Sequence, residues 1–197
     1  MKKLLLFIAP SIVLIVSSCK KKIDNLPPLQ TSVVYHQVNL VLNHFVNPTN
    51  LNLDIDKDGI VDFVLYMNYG YTNSSSFQFF CNIGSANGHF LSIQPVSAPV
   101  NDRIRIYPSG AIQDTLNSIW KSYTFLYHKA SIVGTVINEE AIVTNGDVYT
   151  AFKLSKNGAY HYGWMRMACL TDYKTVHIKD WAYDTIPNRP IQIGQIQ

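Results

Sequence analysis

The chain has 197 residues, 47% of them hydrophobic, and a formal charge of +3. Without Lys2 and Lys3, which precede an N-terminal apolar run, fourteen of its sixteen Lys and Arg remain against thirteen Asp and Glu, a charge near +1. That balance argues against a nucleic-acid binder, which usually shows a clustered basic face, and the length is enough for one domain with a real core.

Lys2 and Lys3 open the chain, an apolar run follows from Leu4 to Val16, and Ser17, Ser18 and Cys19 close it. A charged start, an apolar middle and small residues before a cleavage point read as a secretory signal. The run is too short for a transmembrane helix, which needs about 20 residues. A cysteine directly after two small residues resembles the lipobox of bacterial lipoproteins. That resemblance implies a signal peptide over 1–18, cleavage before Cys19 and lipidation (palmitate among the acyl groups) of Cys19. Lys20 in the next position is unlike the Asp-type inner-membrane retention signal, so the outer membrane of a Gram-negative-type envelope is expected, with either face open. Residues 19–31, with Lys20 to Lys22, Pro27 and Pro28, are predicted to be a tether. The three lysines would be drawn to anionic head groups at about 1 kcal/mol each.

From 32 to 197 a single domain is predicted. Val33 to Leu42, Ile60 to Tyr69, Phe77 to Ile83, Arg103 to Tyr107, Tyr123 to Tyr127 and Ser131 to Ile137 read as strands. So do Asp147 to Leu154, Tyr160 to Leu170, Thr175 to Tyr183 and Ile191 to Ile196. Turn residues separate them, and Asn145-Gly146 and Asn157-Gly158 predict two hairpins because both residue types tolerate positive φ. At most one short helix is expected, over Ile112 to Lys121, with Asp114 as N-cap. The predicted class is all-β, an antiparallel, jelly-roll-like β-sandwich.

Asp54, Asp56, Asp58, Gly59 and Asp62 form D-x-D-x-D-G-x-x-D, four aspartates within nine residues. Crowded like charges cost energy unless a cation neutralises them, and hard oxygens suit Ca²⁺. The expected ligands of a structural calcium ion are Asp54, Asp56, Asp58, the carbonyl of Ile60 and Asp62. The competing reading is a solvated acidic turn. Position twelve of an EF-hand loop would fall on Leu65, where a bidentate Glu is needed, so this is not an EF-hand. The spacing resembles the calcium loops of secreted β-proteins such as the FG-GAP type.

Near the C-terminus the chain reads Y-T-A-F-K-L from Tyr149, H-Y-G-W-M-R-M from His161, and D-W-A-Y-D-T-I-P-N-R-P-I from Asp180, then Gly194. This resembles the closing segment of bacterial surface-sorted β-proteins, with a Y-G-W-x-R strand, an A-Y-[DE]-T turn and a final P-I-x-x-G. The resemblance covers about a quarter of the chain and implies fold and location rather than chemistry. It departs from that family in that no sorting tail follows Gln197, a job the lipid on Cys19 is expected to do. Tyr162, Trp164 and Trp181 are read as core or edge aromatics, with a sugar-stacking platform as the alternative. Cys81 and Cys169 are either a disulfide or two buried thiols.

Catalytic patterns are thin. Glu139 and Glu140 are adjacent in a predicted turn, so they make a poor acid–base pair. The histidines at 36, 44, 89, 128, 161 and 177 show no H-E-x-x-H, and Ser109 lacks the G-x-S-x-G elbow. The chain is therefore expected not to be an enzyme. The expected partners are the membrane, through the lipid, and a glycan or surface protein bound by an adhesion module. A purely structural envelope lipoprotein and an unrecognised hydrolase are the alternatives.

Overall fold

The computed structural model describes residues 32–43, 50–73, 76–94, 103–113, 118–132, 135–140, 146–170 and 175–197, with backbone alone for 69, 71–79 and 128–140 among them. All lie in the unit Thr31–Gln197. The signal, Cys19, the tether and the Asp114 cap lie outside the described residues.

The described chain is all-β. Its strands are β1 (Val33–Asn43), β2 (Asn50–Leu53), β3 (Phe63–Asn73), β4 (Ser76–Ser85), β5 (Phe90–Gln94) and β6 (Arg103–Ile104). They continue as β7 (Ile119–Lys121), β8 (Tyr123–Ile132), β9 (Thr135–Glu140), β10 (Val148–Lys156), β11 (Ala159–Cys169) and β12 (Thr175–Asp184). Neither end of the expected short helix is helical: Ile112 bridges Gln192 and Ile119–Lys121 is a strand on β5, and 114–117 lie outside the described residues. Glu139 and Glu140 lie in β9 opposite His128 and Tyr127, not in a turn. Asn157-Gly158 makes the predicted hairpin, with φ of 51° and 77° and Lys156 opposite Ala159. Asn145 lies outside the described residues; among those described, β9 pairs with β8, and β10 with β11 and β5.

The sandwich expectation called for two antiparallel sheets. The strands instead form one hydrogen-bonded sheet in the order β1-β12-β11-β10-β5-β6-β8-β4-β3-β2, with β6 and β8 parallel. The sheet curls so that its two ends share one core and it approaches a barrel. Leu42 of β1, Leu53 of β2, Phe63 and Leu65 of β3, Phe152 of β10 and Trp181 of β12 all lie in that core. Such closure removes the hydrophobic faces that an open sheet would leave in water.

Side chains alternate across β10, β11 and β12, and both faces are covered. Phe152, Met165 and Trp181 point into the main core. Ala151, Trp164 and Ala182, cross-strand partners in the ladder, point the other way into a second cluster with Ile191 and Ile193. The segment expected as a last strand, Ile191 to Ile196, is thus a covering strap whose one ladder contact among the described residues is the Gln192 bridge.

The C-terminal motif residues are explained by this packing. Arg166 faces Asp180 across the ladder, its Nε donating to Oδ1 at 3.0 Å and its Nη2 to Oδ2, while the Tyr35 hydroxyl donates to Oδ2 at 2.9 Å. Asp184 accepts from the backbone N–H of Ile186 and pairs with Arg189. Trp164 donates to the carbonyl of Gln195 at 3.0 Å.

Candidate functional sites: the acidic loop and an aromatic pocket

The acidic loop joins β2 to β3. Ile55 is fully buried beneath it, between Asp54 and Asp56. Lys57 and Gly59 adopt positive φ, 59° and 89°, and give the tight turn that Gly59 was expected to permit. One carboxylate oxygen from each of Asp54, Asp56 and Asp58 lies within 4.8 Å of the others. Backbone N–H groups hold these carboxylates in place: Gly59 donates to Asp54 at 2.9 Å, and Ile60 donates to Asp58 at 2.9 Å. Asp58 N–H is 3.2 Å from both Asp54 and Asp56.

Asp62 takes a role other than the expected one. It is 3% exposed, its Oδ2 accepts from Ile55 N–H at 2.7 Å, and its Oδ1 meets His89 Nε2 at 2.8 Å. It stands outside the converging trio. Asp62 is therefore a brace under the loop. His89 Nδ1 accepts from Ser155 N–H at 2.9 Å, so the proton sits on Nε2 and is donated to Asp62. One buried relay thus ties the loop, the turn before β5 and the end of β10. The same geometry closes the Asp–His pair to general-base chemistry, because the nitrogen facing away from the carboxylate is taken by a backbone donor.

Lys156 supplies the loop with a positive charge. Its ammonium pairs with Asp56, a carboxylate only 2% exposed, and that hydrogen bond raises the lysine pKa against the opposing effect of burial. The donor set fits a hard divalent cation: three carboxylate oxygens converge, and the Ile60 side of the loop is open, with that side chain 55% exposed. Asp56, Asp58, Ile60 and Lys156 share a pocket of about 270 Å³. Above the loop His36 of β1 packs its ring 6.2 Å from Trp181. Burial lowers its pKa, Lys57 adds to this, and Asp54 opposes it.

The aromatics singled out from the sequence are buried: Trp164 is 2% exposed, Trp181 3% and Tyr162 8%. They pack the core and cannot form a sugar-stacking platform. Cys81 and Cys169 are buried thiols with no bridge between them. Burial pushes Cys81 well above its ordinary 9.0, and Cys169 nearby adds to the shift.

A different set of rings is open. Phe90 of β5, Trp120 and Lys121 of β7, and Tyr123 and Phe125 of β8 line a concave pocket of about 470 Å³. Tyr123 is 48% exposed, and its ring meets Phe125 edge-on at 5.5 Å. Gly84 lies opposite Tyr123 in the ladder, where even a Cβ would meet the Tyr123 ring only at an ordinary contact distance of 3.5 Å. Sequence reading missed this pocket and the Asp62–His89 relay. Both are assembled from distant segments, and neither has a local spacing that announces it.

Comparison with protein-family models, curated proteins and solved structures finds no match to this chain.

Proposed function

We propose that this is a lipid-anchored, calcium-stabilised envelope protein whose domain binds a glycan. The observation that carries the binding role is the open pocket of Phe90, Trp120, Tyr123 and Phe125. Its size falls within the usual range of ligand sites, and partly exposed rings offer flat apolar faces to the C–H faces of sugars. The outer membrane is the preferred location, through acyl groups on Cys19.

In this reading Asp54, Asp56 and Asp58 hold Ca²⁺ with the Ile60 carbonyl, and the ion pins the β2–β3 loop. Extracellular sites of this kind bind at about 10⁻⁴ to 10⁻³ M. Lys156 covers part of the charge without the ion.

The test is a polysaccharide and glycan array probed with the full chain in detergent, in calcium and again in chelator. Binding to a glycan class supports the reading, and loss of that binding in Tyr123→Ala places it in the pocket. A folded protein that binds nothing in either buffer overturns it in favour of a structural envelope role. Labelled palmitate incorporated by the native chain and lost in Cys19→Ser tests the anchor.

A further inference from the structure

Two Asn-Gly pairs fall within the described residues, Asn87-Gly88 and Asn157-Gly158, and all four residues are exposed. Both glycines have positive φ, 72° and 77°. The two turns are distant in sequence, yet Asn87 and Asn157 line the same cavity of about 270 Å³, together with Asp56, Asp58 and Lys156. Two neutral amides therefore border the acidic loop.

Their side chains are held differently. Asn87 donates from Nδ2 to the carbonyl of Val61 at 2.9 Å. Among the described residues no hydrogen bond restrains the Asn157 amide. Asn157 is the first of two residues between Lys156 and Ala159, which close the β10–β11 ladder. Rotation about its backbone thus disturbs only the end of the hairpin. A Cβ built on Gly158 would meet nothing within 4 Å, so the approach to the Gly158 nitrogen is open.

That nitrogen, once it gives its proton to hydroxide, can attack Asn157 Cγ. The N–Cγ bond forms, the Cγ–Nδ2 bond breaks, and ammonia leaves with a proton from water. A second water opens the cyclic imide at one of its two carbonyls. The product is aspartate, or isoaspartate where the chain is rerouted through Cγ. The net change is one water in and one ammonia out, with no oxidant and no cofactor. Aspartate tolerates the left-handed conformation that Asn157 holds at φ 51°, so this product keeps the turn.

We infer that Asn157 is a site of spontaneous deamidation, which converts a neutral lining residue of the acidic pocket into a further carboxylate beside Asp56 and Asp58. Lys156 is already engaged by Asp56. The added charge therefore repels its neighbours when no cation is present and attracts a divalent cation more strongly. That consequence rests on the calcium reading above; the modification itself does not.

The experiment is incubation of the full chain in detergent at mildly alkaline pH, followed by peptide mapping with mass spectrometry. The expected result is conversion of Asn157 to the acid at least about fivefold faster than Asn87, the scale of the one hydrogen bond that holds Asn87. Urea is expected to bring the two rates together. Gly158→Ala, whose Cβ shields the attacking nitrogen and meets no other atom, is expected to slow the reaction at Asn157 alone. Asn157→Asp supplies the product directly. It is expected to unfold at lower urea than the native chain in chelator and to be stabilised more than the native chain by calcium.

An Asn157 that stays an amide in the folded chain while the urea-unfolded chain converts overturns the proposal, because the turn then protects it. Equal rates at Asn87 and Asn157 in the folded chain overturn the assignment to the unrestrained amide. Conversion at Asn157, with Asn157→Asp stabilised by calcium no more than the native chain, overturns the effect on the cation and leaves the modification standing. A native chain that calcium does not stabilise at all overturns the calcium reading separately.

Discussion

Trp181 on β12 donates its indole N–H to the carbonyl of Ile55 at 2.9 Å, so the strand that carries the D-W-A-Y-D motif also holds the acidic loop from beneath. Asp62 grips the N–H of the same residue. Ile55 is thereby fixed at both its backbone polar groups, and the carboxylates on either side of it inherit that rigidity. Trp181→Phe strands a buried carbonyl and removes ring volume, a loss of about 3 kcal/mol. Urea unfolding will show it, together with a smaller stabilisation by calcium than in the native chain. Trp164→Phe is the control: it breaks a bond to Gln195 on the other face, so it is expected to lower stability and leave the calcium increment intact.

Asp58 is exposed, and the hydrogen bonds around it within the loop are exposed as well. Removing it costs little when no cation is bound. With about 10 mM calcium and a dissociation constant of about 10⁻⁴ to 10⁻³ M, the proposed ion is expected to stabilise the fold by about 1.4 to 2.7 kcal/mol. Asp58→Ala is therefore expected to melt several degrees lower than the native chain in calcium and close to it in chelator. An equal loss in both buffers would mean that Asp58 serves the loop and no ion.

The features legible in the sequence were those encoded by neighbouring residues. Strand periodicity gave the all-β class, Asn157-Gly158 gave its hairpin, and Gly59 gave the turn that lets Asp54, Asp56 and Asp58 converge. What escaped depends on the path of the sheet. β7 has three residues, too few for a period to show, and it exists because β5 accepts it. Asp62 matches the calcium-loop spacing yet serves His89, which arrives from the turn before β5. The open pocket joins β5, β7 and β8, brought together by a mixed sheet order that no local pattern specifies.

Gly163 in the Y-G-W-M-R strand is fixed by packing. A Cβ there would stand 2.3 Å from the Phe152 ring and 2.6 Å from the carbonyl oxygen of Ala182, its neighbours on the two adjoining strands. Phe152 is fully buried and the carbonyl is backbone, so neither can give way cheaply. Gly163→Ala is expected to cost about 3 kcal/mol by overpacking. A drop in the urea midpoint with an unchanged slope will identify it as a stability effect. Gly88→Ala tests the opposite case: its φ of 72° strains an alanine, but no atom lies within 4 Å of the new Cβ, so a smaller loss is expected.

Alkaline pH will unfold this protein through groups that burial holds in their neutral forms. Burial raises Cys81, Tyr35, Tyr123, Tyr162 and Tyr183 above their ordinary values, and Asp180 adds to the shift at Tyr35. Each group binds its proton more tightly folded than unfolded. Its contribution is fully present below the unfolded value and is lost as pH rises through the folded one. Lys156 and Arg166, raised by their bonds to Asp56 and Asp180, share that sign, while Lys153, lowered by burial, opposes it. Stability is therefore expected to decline from about pH 9, where an unfolded Cys81 thiol ionises, and to fall more steeply beyond about pH 10 as the tyrosines follow. Urea midpoints from about pH 8 to about pH 11 will trace the curve. Cys81→Ala removes the earliest contribution and is expected to flatten its onset while leaving the tyrosine-driven fall. A native midpoint that stays level across the whole range would show that these groups are not held neutral by the fold.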